Sequence, residues 1–349
     1  MKKHYEVIII GAGPSGLSTA LNLIKNGIKN ILVIEQKEFP RYKCCAGYIT
    51  NRTKKEYEQL GLKINECHYR LIENFKIFYQ YQERQKIVNK FLFTNKDIDR
   101  IELDYAFYKL AKEKGIEIKE NSHIVNHNIA KDLIKTNQNE EFTYNNLVFA
   151  DGTSGYGAKY QKKSKKNIAF QLILNTDRKD GIEIHFGVTS HGYGWVSTYK
   201  GITNIGLTDV YNSKLNYQQI FKNYLKNIGI KADIKKLTGA FTPIGLRKSI
   251  INKNIYFVGD AVGGCDPLTL SGLRYSLYTG EKCAESIFKK NKRIYKRCIF
   301  KLKVKFILMQ MILKIFYLKG VLFLIFKIGC RFFHSLISLV FNHFFINKK

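Results

Sequence analysis

The stretch Glu6-Val7-Ile8-Ile9-Ile10-Gly11-Ala12-Gly13-Pro14-Ser15-Gly16 decides how the chain is read. An apolar, β-branched run stops at a G-x-G-x-x-G turn, and Leu17 to Ile24 continues with helical spacing. Strand, glycine turn and helix in that order form the dinucleotide-binding fingerprint. Gly11 permits the tight turn, Gly13 lets the backbone approach a pyrophosphate, and Gly16 lets helix and strand pack closely. Ala12, Pro14 and Ser15 complete the turn, and the helix start aims its unpaired N–H groups and positive dipole end at the phosphates. A second strand, Ile31-Leu32-Val33-Ile34, ends at Glu35. An acid about 20 residues beyond the glycines stands where a ribose hydroxyl pair needs an acceptor. An acid rather than a base there disfavours NADP at this site. The alternative, a chance glycine-rich turn, leaves the register of strand, turn, helix, strand and acid unexplained.

With 349 residues the chain can bury a full core in one large or two medium domains. Its charge is extreme, with 58 Lys+Arg against 28 Asp+Glu and a formal net charge of +30. That excess favours anionic partners, either nucleic acid or an anionic membrane surface. Compositional drift toward Lys, Asn and Ile, as an A/T-rich genome produces, accounts for part of it but not for where the charges cluster. The seven cysteines form no CxxC pair and no zinc spacing, so no metal site is expected, and their odd number argues against a disulfide framework. A reducing, cytoplasmic compartment is expected. The apolar run after Lys2 and Lys3 is short and ends in the glycine turn, so it reads as a strand and not as a signal peptide.

Further along, Phe39 to Tyr48 is a loop of small and basic residues suited to lie over a cofactor. Residues 73–93 alternate apolar and polar and look like strands outside the nucleotide fold. A helix is expected after Asp99-Arg100, through Leu110 and Ala111 to a stop at Gly115, with strand structure from Ile116 to Val125. Asn146 to Gly152 is a strand running into a turn. Ile168–Leu174, Ile182–Val188, Gly194–Tyr199 and Thr203–Leu207 read as one antiparallel sheet, Tyr217–Ile228 as a helix, Ile255–Ala261 as a buried strand ending in an acid, and Leu273–Phe288 as a helix.

One fingerprint at the N-terminus, Ala150-Asp151-Gly152 in mid-chain and Gly259-Asp260-Ala261 near the end together resemble the flavoprotein hydroxylase and reductase superfamily, whose members share the para-hydroxybenzoate hydroxylase fold and bind FAD. The geranylgeranyl reductase family is the closer resemblance. Lys43-Cys44-Cys45-Ala46-Gly47 is similar to its K-x-C-G-G loop. His191-Gly192-Tyr193-Gly194-Trp195 with Asn204-Ile205-Gly206-Leu207 is similar to its Y-x-W-x-F-P-K…G signature. Gly259-Asp260-Ala261-Val262-Gly263, Pro267-Leu268-Thr269 and Ser271-Gly272-Leu273 are similar to its G-D-A-A-G…P-x-x-x-x-G-I end. The resemblance covers roughly residues 5 to 288. It implies an α/β fold: a Rossmann-like FAD-binding domain (1–70, 96–160 and 245–289), an inserted antiparallel β-sheet substrate domain (71–95 and 161–244) and a C-terminal helical tail (290–349). Ala46 replaces the family's usual glycine, Ser197-Thr198 replace Phe-Pro, and the hydroxylase-type Arg after Ser154 is missing. These departures leave the identity of the lipid open.

The resemblance assigns roles residue by residue. Gly11, Ala12, Gly13, Pro14, Ser15 and Gly16 would seat the FAD pyrophosphate, and Glu35 the adenosine ribose. The Arg100 fork suits the cofactor's polar edge, with a surface ion pair to Glu102 or Asp104 as the alternative. Asp260 at a strand's carboxyl end would accept from ribityl hydroxyls, since a buried Asp without such a partner is costly. Gly272 and Leu273 open a helix whose N–H groups would stabilise negative charge on reduced flavin. Cys44, Cys45 and Ala46 form the loop against the cofactor. The Cys45 thiol, beside Lys43, is expected to be partly exposed with a lowered pKa and to pass a proton to a carbon that receives hydride. The alternative is that both cysteines merely fill space. His191 and Tyr193 are other proton donors; Tyr193 and Trp195 fall on the substrate side. His4, His68 and His185 read as structural or solvated.

From Lys289 to Lys349 the chain is apolar, aromatic and studded with Lys and Arg. Its apolar runs are shorter than the roughly 20 residues a membrane span needs. On a helical wheel Lys301, Lys305, Lys319, Lys327, Arg331, His334 and Ser338 fall on one side, and Lys303 and Lys314 elsewhere, while Gly320 and Gly329 are expected to break any single long helix. Basic and apolar faces together read as an interfacial membrane helix, with a helical cap buried against the FAD domain or in a dimer as the alternative. The resulting expectation is a reductase, peripheral on an anionic membrane, that saturates C=C bonds of an isoprenoid lipid with electrons from NAD(P)H or a redox protein. One rival is an FAD-dependent monooxygenase of an aromatic or polyketide-like substrate. Another is a nucleic-acid-binding protein, which leaves the flavin motifs unused.

Overall fold

A computed structural model describes residues 3–64, 74–88, 100–162, 165–252, 254–267 and 269–316. In chain order the elements are β1 (Lys3–Ile10), α1 (Pro14–Lys25), β2 (Ile31–Ile34), α2 (Asn51–Gln59), β3 (Asn74–Tyr79), β4 (Gln82–Val88), α3 (Arg100–Glu113), β5 (Glu117–Lys119), β6 (Ile124–Asn128), β7 (Leu133–Thr136) and β8 (Glu141–Phe149). There follow β9 (Lys166–Asn175), β10 (Gly181–Phe186), β11 (Tyr193–Tyr199), β12 (Ile202–Val210), α4 (Tyr217–Asn227), β13 (Thr238–Pro243), β14 (Ile250–Ile251), β15 (Ile255–Phe257), α5 (Leu273–Phe288) and α6 (Lys292–Phe316).

Two sheets organise these elements. In the first, β15-β8-β1-β2-β5 run parallel, β14 caps one edge, and the β6–β7 hairpin attaches antiparallel to β8 through β7. Its central strands are continuous apolar runs because helices cover the sheet: Val7, Ile8, Ile9, Leu32, Val33, Leu147, Val148, Phe149 and Phe257 are fully buried. Ile10 stands level with both Ile34 and Phe149, and Phe149 with Phe257. The carboxyl ends of four strands therefore finish at one height, which is where open α/β sheets bind ligands.

The second sheet has the order β13-β9-β12-β11-β10-β3-β4. Its pairings are antiparallel except β10 with β3, which run parallel. The four strands read from sequence as one antiparallel sheet, β9 to β12, are antiparallel neighbours here, and β3 joins them parallel to β10. β3 and β10 are separated by about a hundred residues, so no hairpin turn dictates their relative direction. One face of this sheet packs on α4 through Leu172, Val196, Ile205, Leu207, Phe221 and Leu225.

α2 was not anticipated, because its sequence is almost wholly polar; Thr50 caps it by accepting from the Thr53 N–H at 3.1 Å. α6 is not a free tail. Tyr295, Cys298, Ile299, Leu302, Phe306 and Met309 are buried in the core of the first sheet, and the Tyr295 hydroxyl donates to the Phe257 carbonyl in β15. No helix among the described residues is long and apolar enough to cross a membrane. The tail's later features, from Lys319, Gly320, Lys327, Gly329 and Arg331 to His334 and Ser338, lie outside the described residues, as do Cys67, His68 and Cys330.

Candidate active site

Three turns meet beyond the level strand ends. The Gly11 N–H donates to the Ile34 carbonyl at 2.8 Å, the Ala150 N–H to Ile10 at 2.8 Å, and the Val258 N–H to Phe149 at 2.9 Å. The glycine turn, Asp151-Gly152 and Gly259-Asp260 thus share one crevice although some 250 residues of chain separate the first from the last. Gly11 adopts φ +103°, and a side chain on it would lie 2.6 Å from the Ala150 carbonyl oxygen. At Gly16 a methyl group would overlap the Gly11 carbonyl, so that glycine serves the fold itself. Gly13 differs: its φ is −75°, and a side chain there would meet only Arg41 Nη2, at 3.6 Å. The space over Gly13 is open toward the crevice.

Neither helix that starts at the crevice has a side-chain cap. α1 begins after Gly13, with Pro14 in its first turn, and α5 after Gly272. Their first-turn N–H groups face outward, as an anion site requires. The helices pack closely, with Ser18 Oγ donating to the Leu277 carbonyl at 2.9 Å.

The predicted side chains come to this crevice in different states. Glu35 is buried and accepts from the Ala12 N–H at 2.9 Å and the Lys37 N–H at 3.1 Å. Arg100 is buried, and its fork is closed on Asp104, with Nε–Oδ1 2.9 Å and Nη2–Oδ2 3.0 Å. The ion pair weighed as its alternative is present, in the interior and not on the surface. Burial opposes its charge, but the Asp104 carboxylate overrides that and holds the guanidinium charged. Burial pushes the Asp260 carboxyl up while Lys43, Arg100 and Arg247 pull it back, and no hydrogen bond reaches it among the described residues. Gly272 lies against it, an added side chain there coming within 3.2 Å of Asp260 Oδ1.

Cys44 and Cys45 lie at the seam between the two sheets, both half-buried. Gln171 of β9, itself buried, holds both. Its Oε1 accepts from the Cys45 N–H at 2.8 Å, and the Cys44 thiol lies 3.6 Å away. Burial pushes the Cys44 thiol up to about 11, keeping it protonated. Cys45 Sγ accepts from the Gly47 N–H at 3.4 Å, and Ala46 is half-buried between them.

On the second sheet, the Tyr193 hydroxyl donates to the Thr269 carbonyl at 2.8 Å, tying β11 to the loop before α5. Trp195 is only 5% exposed, and its Nε1 donates to Asn204 Oδ1 at 2.9 Å. Its ring rests on Gly206, so in this state it is packed and polar-satisfied and presents little surface to a substrate. A pocket of about 70 Å³ opens beside Tyr193 and His191, walled by Ile244, Pro267, Leu270 and Gln310 of α6.

Several residues of the crevice escaped the sequence reading. Arg41 lies over Gly13 and reaches Glu35 Oε2 at 3.6 Å and Asp104 Oδ2 at 3.8 Å, yet its buried Nε has no partner. Arg247 donates from Nη1 to the Thr153 carbonyl at 3.2 Å, and its Nε is likewise unpartnered. Only the basic character of the Phe39–Tyr48 loop signalled Arg41; nothing local marked Gln171 or Arg247. Uncapped helix starts, an open glycine, unpaired cationic N–H groups and an unpaired carboxylate are complementary to a dinucleotide's phosphates and hydroxyls.

Fold and crevice together define a nucleotide-cofactor oxidoreductase. A family model described as pyridine nucleotide-disulphide oxidoreductase matches residues 5–184, just over half of the chain. The chain belongs to that family and is an FAD-dependent oxidoreductase. It is 26% identical over 324 residues to a digeranylgeranylglycerophospholipid reductase of Methanococcus vannielii, covering 83% of this chain and 80% of the relative. It is 25% identical over 310 residues to a menaquinone reductase of Mycobacterium tuberculosis, covering 80% and 76%. A solved geranylgeranyl bacteriochlorophyll reductase-like protein of Thermoplasma acidophilum has the same fold, with TM-score 0.77 at 18% identity over 91% of this chain and 89% of that one.

Proposed function

We propose that the protein is a reductase that saturates C=C bonds of a polyprenyl lipid, working peripherally at an anionic membrane surface with electrons from NAD(P)H or a redox protein. The observation that carries this is the Cys44-Cys45 loop, held by Gln171 at the seam between the nucleotide crevice and the second sheet. The two named relatives above act on isoprenoid lipids, which supports the substrate class.

FAD, when bound, would supply the redox chemistry as the donor of hydride to one carbon of the double bond. The chain's own residues then have separable tasks. The N–H groups at the starts of α1 and α5, with Arg41, would hold the phosphates and the negative charge of the reduced ring. Glu35 and Asp260 would accept from sugar and ribityl hydroxyls. Arg100 is a positioning residue, because its fork is spent on Asp104. Cys45 gives the second carbon its proton, which completes the addition of one hydride and one proton across the bond. The Cys44 thiol, kept protonated by burial, stays out of the reaction.

Mass spectrometry of polar lipids and quinones from cells with and without the protein tests the proposal. Saturated polyprenyl chains that disappear with the protein support it. An unchanged lipid profile, with an oxygenated aromatic product in its place, supports the monooxygenase.

A further inference from the structure

α6 looks two ways. Its inner row, which includes Tyr295, Leu302, Phe306 and Met309, is buried in the core. Its outer row is Phe300, Val304, Ile307, Leu308 and Met311, respectively 66, 46, 46, 56 and 56% exposed. Spacings of three and four put these five on one side of the helix. Scattered apolar side chains are normal on a surface, whereas a contiguous row marks an interaction site. Lys296, Arg297, Lys301, Lys303 and Lys314 are exposed along the same helix. Not one acidic residue occurs in α6, or anywhere after Glu285.

The occupant follows from that chemistry. An apolar row edged by lysines, whose stems can lie along it while their heads reach phosphate, matches the interfacial zone of an anionic bilayer. A second copy of this chain would bring two acid-free basic faces together, which like-charge repulsion opposes. Nucleic acid would satisfy the lysines and leave the apolar row in water. We infer that the outer face of α6 is a docking surface for an anionic lipid bilayer.

Docking has a consequence for the chemistry, and this part rests on the lipid-reductase proposal. Gln310 of α6 walls the pocket beside Tyr193, together with the apolar Ile244, Pro267 and Leu270. The docked helix thus shares a wall with the pocket, which brings the pocket close to the lipid surface from which a polyprenyl chain would come.

The test uses the full-length holoprotein and two vesicle types, one of equal parts phosphatidylglycerol and phosphatidylcholine, the other of phosphatidylcholine alone. Wild type is expected to sediment with the anionic vesicles, less with neutral ones, and to retain part of its binding at high salt. Leu308→Glu/Met311→Glu, at exposed positions, keeps its FAD absorbance and loses at least about ten-fold in partitioning. Lys301→Gln/Lys303→Gln narrows the difference between vesicle types. The double Glu variant still turns over detergent-dispersed substrate but fails on vesicle-embedded substrate. If wild type stays in the supernatant, if the double Glu variant sediments as well as wild type, or if the only change in that variant is loss of a dimer on gel filtration, the docking inference is overturned. Absence of turnover in both substrate forms, with vesicle binding intact, counts against the reductase proposal and leaves the docking surface standing.

Discussion

Replacing Gly13 with alanine separates a glycine kept for the cofactor from one kept for the fold. At φ −75° and ψ 178° Gly13 is in extended backbone that any residue adopts. The added methyl group meets nothing nearer than Arg41 Nη2 at 3.6 Å, an ordinary contact. The apoprotein should therefore fold normally, and loss of chain freedom in the unfolded state should stabilise it by about 0.4–1 kcal/mol. The pyrophosphate, however, has to approach the backbone where the methyl group now stands. Overpacking of that kind costs ~1–3 kcal/mol, which corresponds to roughly five- to more than a hundred-fold weaker FAD binding. Gly13→Glu, longer and anionic, should abolish binding. Gly16→Ala is the control, since its methyl group overlaps the Gly11 carbonyl and should destabilise the apoprotein itself. Flavin fluorescence titration gives the affinity and thermal unfolding of the apoproteins gives the stability. A Gly13→Ala protein that binds FAD as wild type does would refute the placement of the phosphates over Gly13.

Three further outcomes follow from the geometry. Cys45→Ser should retain FAD and lose about a hundred-fold or more in turnover, the scale of a positioned proton donor, while Cys44→Ser changes turnover little; equal rates for wild type and Cys45→Ser would reduce Cys45 to a space-filler. Burial raises the Asp151 carboxyl from 3.8 to about 6, so its contribution to stability is fully present below about 4 and is lost as pH rises through 6. The stability difference between wild type and Asp151→Asn, from urea unfolding, should change across that window and be flat above it; a difference independent of pH contradicts the assigned shift. Cutting the chain after Lys289 removes six buried α6 side chains. At ~1.5–3 kcal/mol each this approaches the whole stability of a domain, so residues 1–289 should be insoluble or colourless, and a soluble yellow fragment would show that α6 is dispensable.

How much of the structure was legible depended on whether its cause was local. The β1–turn–α1–β2 unit was readable because the apolar period switches from strand to helix at the glycines, and the ends of α5 because an apolar helical pattern runs unbroken from Leu273 to Phe288. α2 was missed because only Tyr57 and Thr53 are buried on it, too few for periodicity to show. The parallel pairing of β3 with β10 and the grip of Gln171 on Cys45 join residues more than a hundred apart, and no property of either segment encodes the partner. Arg100 was expected at the cofactor; the Asp104 that occupies its fork lies one turn further on, a spacing that was visible but that does not say which partner wins. In α6 the lysines drew the eye to a membrane helix, while the inner row at 295, 299, 302, 306 and 309 carried the equally regular signal of a buried face.

The central claim is tested most directly in the absence of oxygen. The holoprotein is reduced chemically, mixed anaerobically with a digeranylgeranyl lipid, and followed by flavin absorbance and by mass spectrometry of the lipid. The account predicts that the lipid alone reoxidises the flavin, with one double bond saturated for each flavin consumed. A flavin that stays reduced until oxygen is admitted, and then yields a product carrying an oxygen atom, would contradict it.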